Sequence, residues 1–272
     1  MIVSSTTIPS RTSQLSPLPA SGPAVRNVGD AVKGLSLLVF SACAVLAVTG
    51  CNASLGATVD RTEESTVDPS GMRRIVITTD NGDVDVDVDV DVDVDAGTGG
   101  IEIDALIAEH DKGDGEWTVD VAGDTLVVTG TCDAGWFDRC AVGFRITVPA
   151  GLDVTVQTNN GDIDLQGLSG SIDLTTNNGE IDSTRIDAGS VQVTSDNGDV
   201  NLTFSTAPDD VVAYSDSGDV TIEVPPTDDD YQVDASSDNG HVQVAVPTDP
   251  QAQRTINAES GNGNVHARYP AG

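Results

Sequence analysis

Carboxylate side chains recur at one fixed place in a short motif of this sequence, directly after a glycine that follows asparagine or serine. Four consecutive copies of the motif carry an acid there: Asp162, Glu180, Asp199 and Asp219. If the copies stack about 4.8 Å apart, as neighbouring strands do, the acids form a row whose adjacent oxygens can share a divalent cation. A solvated acidic ridge without specific ions is the alternative interpretation.

Such a row of carboxylates suits Ca²⁺, but one feature of the motif makes calcium binding less favoured. The calcium-binding β-roll repeat places an aspartate two residues after its glycine. In this sequence the same place holds a β-branched apolar residue: Ile163, Ile181, Val200 and Val220. We therefore expect no cofactor, with Ca²⁺ bound along the row as the alternative.

Residues typical of catalytic sites are scarce. The histidines are His110, His241 and His266, and the chain has no Gly-x-Ser-x-Gly, His-Glu-x-x-His or phosphate-loop motif. Acid pairs are so frequent that their proximity in sequence indicates nothing. We expect that the protein is not an enzyme. The catalytic alternative is a carbohydrate-active β-helix enzyme, which needs two acids at catalytic spacing in a cleft.

The four cysteines form two groups. Cys132 and Cys140 enclose seven residues, a spacing that fits no zinc motif. In an exported chain such a close pair predicts a disulfide, and two reduced thiols are the alternative. Cys43 and Cys51 lie within or just after an apolar segment near the N-terminus.

That apolar segment, residues 35–48, follows two basic residues and suits the core of a signal peptide better than a bilayer span. The sequence VTGC, which ends at Cys51, resembles the bacterial lipobox, in which the cysteine thiol receives diacylglycerol before cleavage. The resemblance implies a signal peptide over residues 1–50 and a lipid on Cys51 that anchors the chain to the extracytoplasmic face of the cell membrane. An ordinary signal peptide or an uncleaved anchor is the alternative.

The charge of the chain limits its partners. Lys and Arg number 12 against 44 Asp and Glu, a formal net charge of −32. Such a surface repels nucleic acid, so we expect no nucleic-acid partner. Because it also repels anionic headgroups, we expect contact with a membrane only through the lipid anchor.

The carboxylate row belongs to an eight-residue motif that recurs seven times. Aligned on its glycine, the motif has Ser or Thr three residues before, usually Asn directly before, and Val or Ile two residues after. Asn and Gly permit a turn with positive φ, the hydroxyl can hydrogen-bond the turn backbone, and the β-branched residue starts an inward-facing strand. The motif glycines are Gly82, Gly161, Gly179, Gly198, Gly218, Gly240 and Gly263.

The spacing of the motif indicates the fold. From the second copy onward the glycines lie 18 to 23 residues apart, and Gly170 and Gly189 halve the first two intervals, so each repeat holds two short strands. Asn-Gly between apolar runs is also a hairpin signal, which makes an antiparallel meander the alternative. The same residue types recur at the same register, which favours parallel stacking. We predict an all-β fold, a parallel β-solenoid of two-strand coils.

We place the folded domain at residues 72–268. The regular repeats occupy residues 151–268. Residues 72–150 contribute N-terminal strands, the disulfide loop and a hairpin that turns at Gly123-Asp124. Residues 51–71 are polar and aperiodic, which predicts a flexible tether.

The stretch FRITVPAGLDVTVQTNNGDIDLQGLSGSIDLTTNNGEID, which begins at Phe144, resembles the bacterial putative-adhesin family, a domain of unknown function with repeats of the type T-x-N-G-D-[VI]. The resemblance extends over about residues 72–268. It implies a β-solenoid-like fold on the cell surface and carries no catalytic residues. We expect a non-enzymatic, lipid-anchored adhesin or interaction module whose partner is a protein or a cell-wall polymer. A divalent-cation-dependent surface or sensory protein is the alternative.

Overall fold

A computed structural model describes residues 59–88, 100–110, 114–133 and 139–270 of the chain. Within these ranges the regular secondary structure consists of β-strands, which form two sheets. None of the described segments is an apolar helix of membrane-spanning length.

We call the two sheets sheet 1 and sheet 2. Sheet 1 contains β1 (Val59–Val67), β3 (Val84–Val88), β4 (Ile101–His110), β7 (Arg139–Val148), β9 (Ile163–Gln166), β11 (Ile181–Ile186), β13 (Val200–Phe204), β15 (Val220–Glu223), β17 (Val242–Val244) and β19 (Val265–Arg268). Sheet 2 contains β2 (Arg74–Asn81), β5 (Asp114–Ala122), β6 (Thr125–Asp133), β8 (Asp153–Asn160), β10 (Ile172–Asn178), β12 (Ser190–Asn197), β14 (Asp210–Ser217), β16 (Tyr231–Ser237) and β18 (Arg254–Ser260).

The chain winds between the sheets in coils, each with one strand in sheet 2 followed by one strand in sheet 1. Neighbouring coils pair in parallel and in register, so that Asn160, Asn178 and Asn197 are successive partners. The predicted parallel β-solenoid is confirmed. The antiparallel meander is wrong for the repeats, because every pairing between coils from β8 to β19 is parallel.

The space between the sheets is filled by the inward side chains of alternating strand residues. The residue two places after the motif glycine is fully buried in six of the seven coils: Val84, Ile163, Ile181, Val200, Val220 and Val265. Burial of one such side chain stabilises a fold by roughly 1.5–3 kcal/mol. This column is therefore a main source of stability, and it repeats once per coil.

The coils do not stack entirely in chain order. Sheet 1 runs β1-β4-β7-β3-β9-β11-β13-β15-β19-β17, and sheet 2 runs β16-β18-β14-β12-β10-β8-β2-β6-β5. The coil β2–β3 thus lies between β6–β7 and β8–β9. At the other end, β18–β19 lies between β14–β15 and the last coil, β16–β17.

The N-terminal end of the stack is closed by antiparallel strands. The β5–β6 hairpin turns at Gly123-Asp124, as predicted, and β1 and β4 extend sheet 1 beyond β7. The predicted tether is wrong for residues 59–67, which form β1. Its sequence VDRTEESTV has no apolar alternation; backbone pairing with β4 holds it, together with contacts of Arg61 with Glu109 and with the carbonyl of Gly115.

The predicted disulfide is present. Cys132, near the end of β6, is bonded to Cys140 at the start of β7, with Cα atoms 5.6 Å apart. The bond joins sheet 2 to sheet 1 within one coil. It therefore closes the short connection between β6 and β7, where the chain crosses between the sheets.

Candidate functional site

The turn at each motif glycine is built from three ladders that run along the stack. The first is made of hydroxyl groups. Each motif Ser or Thr donates a hydrogen bond to a backbone carbonyl of an adjacent coil. Thr176 donates to the carbonyl of Gly161 at 3.2 Å, and Ser215 donates to that of Gly198 at 2.8 Å. Both side chains have no solvent exposure. These bonds satisfy buried carbonyl groups, which are costly to leave without a partner.

The second ladder is made of asparagine side chains. The amide of Asn160 donates to Asn81 at 2.8 Å, Asn178 donates to Asn160 at 2.9 Å, and Asn197 donates to Asn178 at 3.1 Å. Identical amides gain from lying directly above one another only in parallel, in-register strands. The ladder therefore fixes the register of the corner beside the acidic residues.

The third ladder contains the four predicted acids, which the structure brings into one row. The carboxylate of Asp162 accepts a hydrogen bond from the backbone N–H of Glu180 at 2.8 Å. Asp199 accepts in the same way from Asp219 at 2.7 Å. Asp83 of the first coil extends the row, because it accepts from the N–H of Asp162 at 3.1 Å. These carboxylates each have one oxygen tied to the fold.

Glu180 departs from this pattern. Its carboxylate accepts a hydrogen bond from the side-chain amide of Asn201 at 3.0 Å. Partial burial raises the pKa of Glu180 above its ordinary range, and the nearby charges of Asp182 and Asp199 raise it further. The carboxylate of Glu180 thus contacts the neighbouring strand β13.

A second acidic row lies beside the first, and the sequence analysis missed it. Asp85, Asp164 and Asp182 are direct partners on β3, β9 and β11, three residues after their motif glycines. Burial raises the pKa of Asp164, and the charges of Asp85 and Asp182 add to the effect. The signal was available, because strand residues one and three places after a glycine share a face.

Together the two rows make one negatively charged surface on sheet 1, which we call the acidic face. Within the described residues, the guanidinium of Arg145 on β7 forms an ion pair with the acidic face. It lies 3.5 Å from the carboxylate of Asp85 on β3. The rest of the acidic face has no ion pair among those residues. Its members are Asp83, Asp85, Asp162, Asp164, Glu180, Asp182, Asp199 and Asp219.

Calcium binding in the predicted row stays a prediction. Carboxylate oxygens are suitable ligands for Ca²⁺, but in Asp83, Asp162, Asp199 and Asp219 one oxygen already accepts a backbone hydrogen bond. The described ranges contain no group of three His, Cys, Asp or Glu side chains arranged to hold a metal ion. The chemistry that the geometry supports directly is long-range attraction of positive charge.

An open depression of about 630 Å³ lies elsewhere, near the C-terminal end. Its acids include Asp209 and Asp229, both of which contact the guanidinium of Arg254, at 2.7 and 3.3 Å. Arg254 also donates to the backbone carbonyls of Ala207 and Pro208. Because the arginine holds these loops together, we assign the contacts a structural role. The carbohydrate-active alternative stays untested.

The remaining predicted features lie outside the described residues. They are the signal peptide over residues 1–50 and the lipid attachment at Cys51. Both therefore stay predictions.

Comparison with known proteins gives a family match. A family model described as Toastrack DUF4097 matches residues 64–270. No curated protein matches the chain.

The chain is also similar to solved structures, at low sequence identity. A putative cell adhesion protein from Clostridium sporogenes is 10% identical, with 78% of this chain and 100% of that chain covered and a TM-score of 0.44. A putative adhesin from Bacteroides fragilis is 13% identical, with coverages of 76% and 96% and a TM-score of 0.45. A putative lipid binding protein from Parabacteroides distasonis is 10% identical, with coverages of 78% and 98% and a TM-score of 0.32.

Proposed function

The chain belongs to the Toastrack DUF4097 family, and we propose that it is a non-enzymatic surface module that uses its acidic face to bind a positively charged partner. The partner is a surface protein or a cell-wall polymer with cationic groups. The module is held at the extracytoplasmic face of the membrane by a lipid on Cys51.

The acidic face is the observation that carries this proposal. Eight carboxylates lie on one side of sheet 1, on strands whose positions are fixed by the hydroxyl and asparagine ladders. A rigid array loses little conformational entropy when it binds, so its charges are available at low cost. Partial burial raises the pKa values of Asp164 and Glu180, and the charges of the neighbouring carboxylates raise them further.

Repulsion within the array gives a driving force for binding. Two unit charges about 5 Å apart in water repel by roughly 0.8 kcal/mol. Asp164 has such a neighbour on each side, Asp85 and Asp182. A cationic group placed over the rows relieves this repulsion and adds its own attraction. Because exposed charges are screened over about 8 Å at physiological ionic strength, we expect binding to weaken strongly with added salt.

Binding is tested with two variants of equal charge. The first neutralises the acidic face with Asp164→Asn, Glu180→Gln and Asp182→Asn. The control neutralises three exposed acids on sheet 2 with Asp120→Asn, Asp173→Asn and Glu259→Gln. We expect the first variant to lose retention on intact envelopes of the source cell, while the control retains it.

Equal loss in both variants would show that net charge alone is responsible, and unchanged binding in the first variant would remove the acidic face from the proposal. Retention is measured at low and at physiological salt. The difference between these two conditions reports the electrostatic part of the interaction.

The anchor is tested separately from the acidic face. We expect Cys51→Ser to abolish incorporation of a radiolabelled fatty acid and, because cleavage follows lipid attachment, to leave residues 1–50 on the chain. The control is Cys43→Ser, which lies within the apolar segment and should remain labelled. Labelling that survives Cys51→Ser would refute the anchor and leave the role of the acidic face untouched.

A further inference from the structure

The two ends of the stack differ. At the N-terminal end, β4 and β5 cover the coil β6–β7. Trp117 of β5 packs edge-to-face on Phe144, with ring centroids 6.3 Å apart, and Phe144 has no solvent exposure. The chain itself covers the core at this end, and the edge strands here, β1 and β5, carry acids such as Glu64 and Asp120.

The C-terminal end is open. Val242 and Val244 of the last coil occupy the inward columns, where their partners Val265 and Ala267 are fully buried. Yet Val242 is 43% exposed and Val244 is 39% exposed. In the described ranges, β17 pairs with a neighbouring strand on one side only, while the start of β16 also forms a parallel bridge from Tyr231 to Thr248. Apolar core residues and unpaired strand edges therefore face the surroundings together.

The open edge of β17 is short, three residues, but its strand carries no charge. Exposed edge strands normally carry charges, bulges or prolines that prevent pairing with another chain. The segment 241–245, His-Val-Gln-Val-Ala, contains no acid in a chain whose formal net charge is −32. On the other edge, β16 has Asp234 at its centre. Sheet 1 is thus the sheet that can accept a further strand.

The sequence of β17 is also complementary to itself. In an antiparallel pair centred on Gln243, Val242 of one chain lies opposite Val244 of the other, and the two Gln243 residues face each other. Directly opposite apolar residues stabilise an antiparallel pair. An identical strand is therefore a fitting neighbour for this edge.

We propose that a second copy of the chain docks on the open C-terminal end, related by a two-fold axis through paired β17 strands. The arrangement continues sheet 1 across the interface and covers the exposed valines of both copies. Because the two-fold contact uses the same edge of both copies, assembly through it stops at a dimer and does not continue into fibres.

Asp234 moderates this association. It lies at the middle of β16, and the two-fold arrangement brings the β16 edges of the two copies towards each other, with their carboxylates. We therefore expect the dimer to be strengthened by added salt and by Asp234→Asn. Salt has the opposite effect on binding at the acidic face, so the two interactions are distinguishable.

The test is a cysteine trap in the full chain, purified in detergent. Opposite residues in an antiparallel pair have Cα atoms about 4.5–5.5 Å apart, which lies within the range that a disulfide bridges. We expect Gln243→Cys to give a band of twice the chain mass on non-reducing electrophoresis. The control is Val121→Cys, because Val121 of β5 is 55% exposed and lies at the other end of the stack. This variant should stay monomeric.

Sedimentation of the unmodified chain in detergent provides the second measurement. We expect a dimer that becomes monomeric with Val242→Lys and tighter with Asp234→Asn, while Val121→Lys has no effect. A monomer at all concentrations, together with an unlinked Gln243→Cys thiol that reacts with maleimide, would overturn the proposal. An unlinked thiol protected from maleimide would also overturn it, because another part of the same chain would then cover the edge.

Discussion

A single methyl group at the motif glycine is expected to force neighbouring coils apart. In Gly179→Ala, the added Cβ would lie 2.0 Å from the carbonyl oxygen of Gly161 and 2.6 Å from its carbon. Gly179 does not have positive φ, so the restriction at this position is the close approach of the next coil. From the sequence, a positive φ is the predicted reason for glycine at this place in the motif. That explanation holds at Gly82 and Gly198, which have φ of 146° and 156°.

The cost follows from the contacts around the turn. Relief of the clash requires the coils to separate locally by more than about 1 Å. This movement breaks the hydrogen bonds from Gly161 N–H to Asn178 and from Ile163 N–H to Glu180, which are 3.1 and 2.9 Å long. Two lost bonds at about 1 kcal/mol each, with about 1–3 kcal/mol of packing strain, give a destabilisation of about 3–5 kcal/mol.

Thermal unfolding followed by circular dichroism measures this effect. For a domain of this size we expect Tm to fall by about 6–20 °C. The matched control is Gly189→Ala, whose added Cβ would approach only the carboxylate of Asp209, at 3.3 Å. That side chain can move, so we expect a change below about 1 kcal/mol. Equal effects of the two substitutions would refute the explanation by stacked corners.

Four further predictions concern the interior and the acidic face. Thr176→Val leaves the carbonyl of Gly161 without this donor and should cost about 1–3 kcal/mol in urea unfolding, against no loss for the exposed Thr184→Val. Ser183 is buried with no hydrogen-bond partner among the described residues, so Ser183→Ala should raise the urea midpoint, and a lower midpoint would contradict this. Because the pKa of Asp164 is raised above 3.8 in the folded protein, its protonation stabilises the fold, and that contribution disappears as pH rises through the folded-state pKa. Asp164→Asn should therefore raise Tm at pH 7 and leave it unchanged near pH 3. Calorimetry should show the same Tm with EDTA as with millimolar Ca²⁺ at matched ionic strength, and a clear rise with Ca²⁺ alone would favour the cation-dependent alternative.

Stacking in register could be predicted from the sequence because each motif column has a separate physical requirement. The glycine has no room for a side chain, the hydroxyl satisfies a buried carbonyl, and the apolar residue fills the interior. The three requirements agree only if consecutive coils are parallel. One of the two acidic rows followed from the same alignment.

Other features could not be predicted for equally physical reasons. The motifs around Gly240 and Gly263 are nearly equivalent, DNGHV and GNGNV, so nothing local determines which coil lies outermost. Strand β1 is held by backbone pairing and ionic contacts, which leave no apolar periodicity in its sequence. The open C-terminal edge depends on the order of the coils, so it could not be predicted from the sequence either.

The order of the coils tests the solenoid most directly, through distances between pairs of spin labels along one column of sheet 2. With Cys43 and Cys51 replaced by serine, labels at Thr155 and Asn257 should lie four strand spacings apart, about 19 Å, and labels at Thr155 and Asp234 five spacings apart, about 24 Å. Pulsed electron paramagnetic resonance should therefore give the longer distance for Asp234. A longer distance for Asn257, or distances unrelated to the strand spacing, would contradict the stack described above.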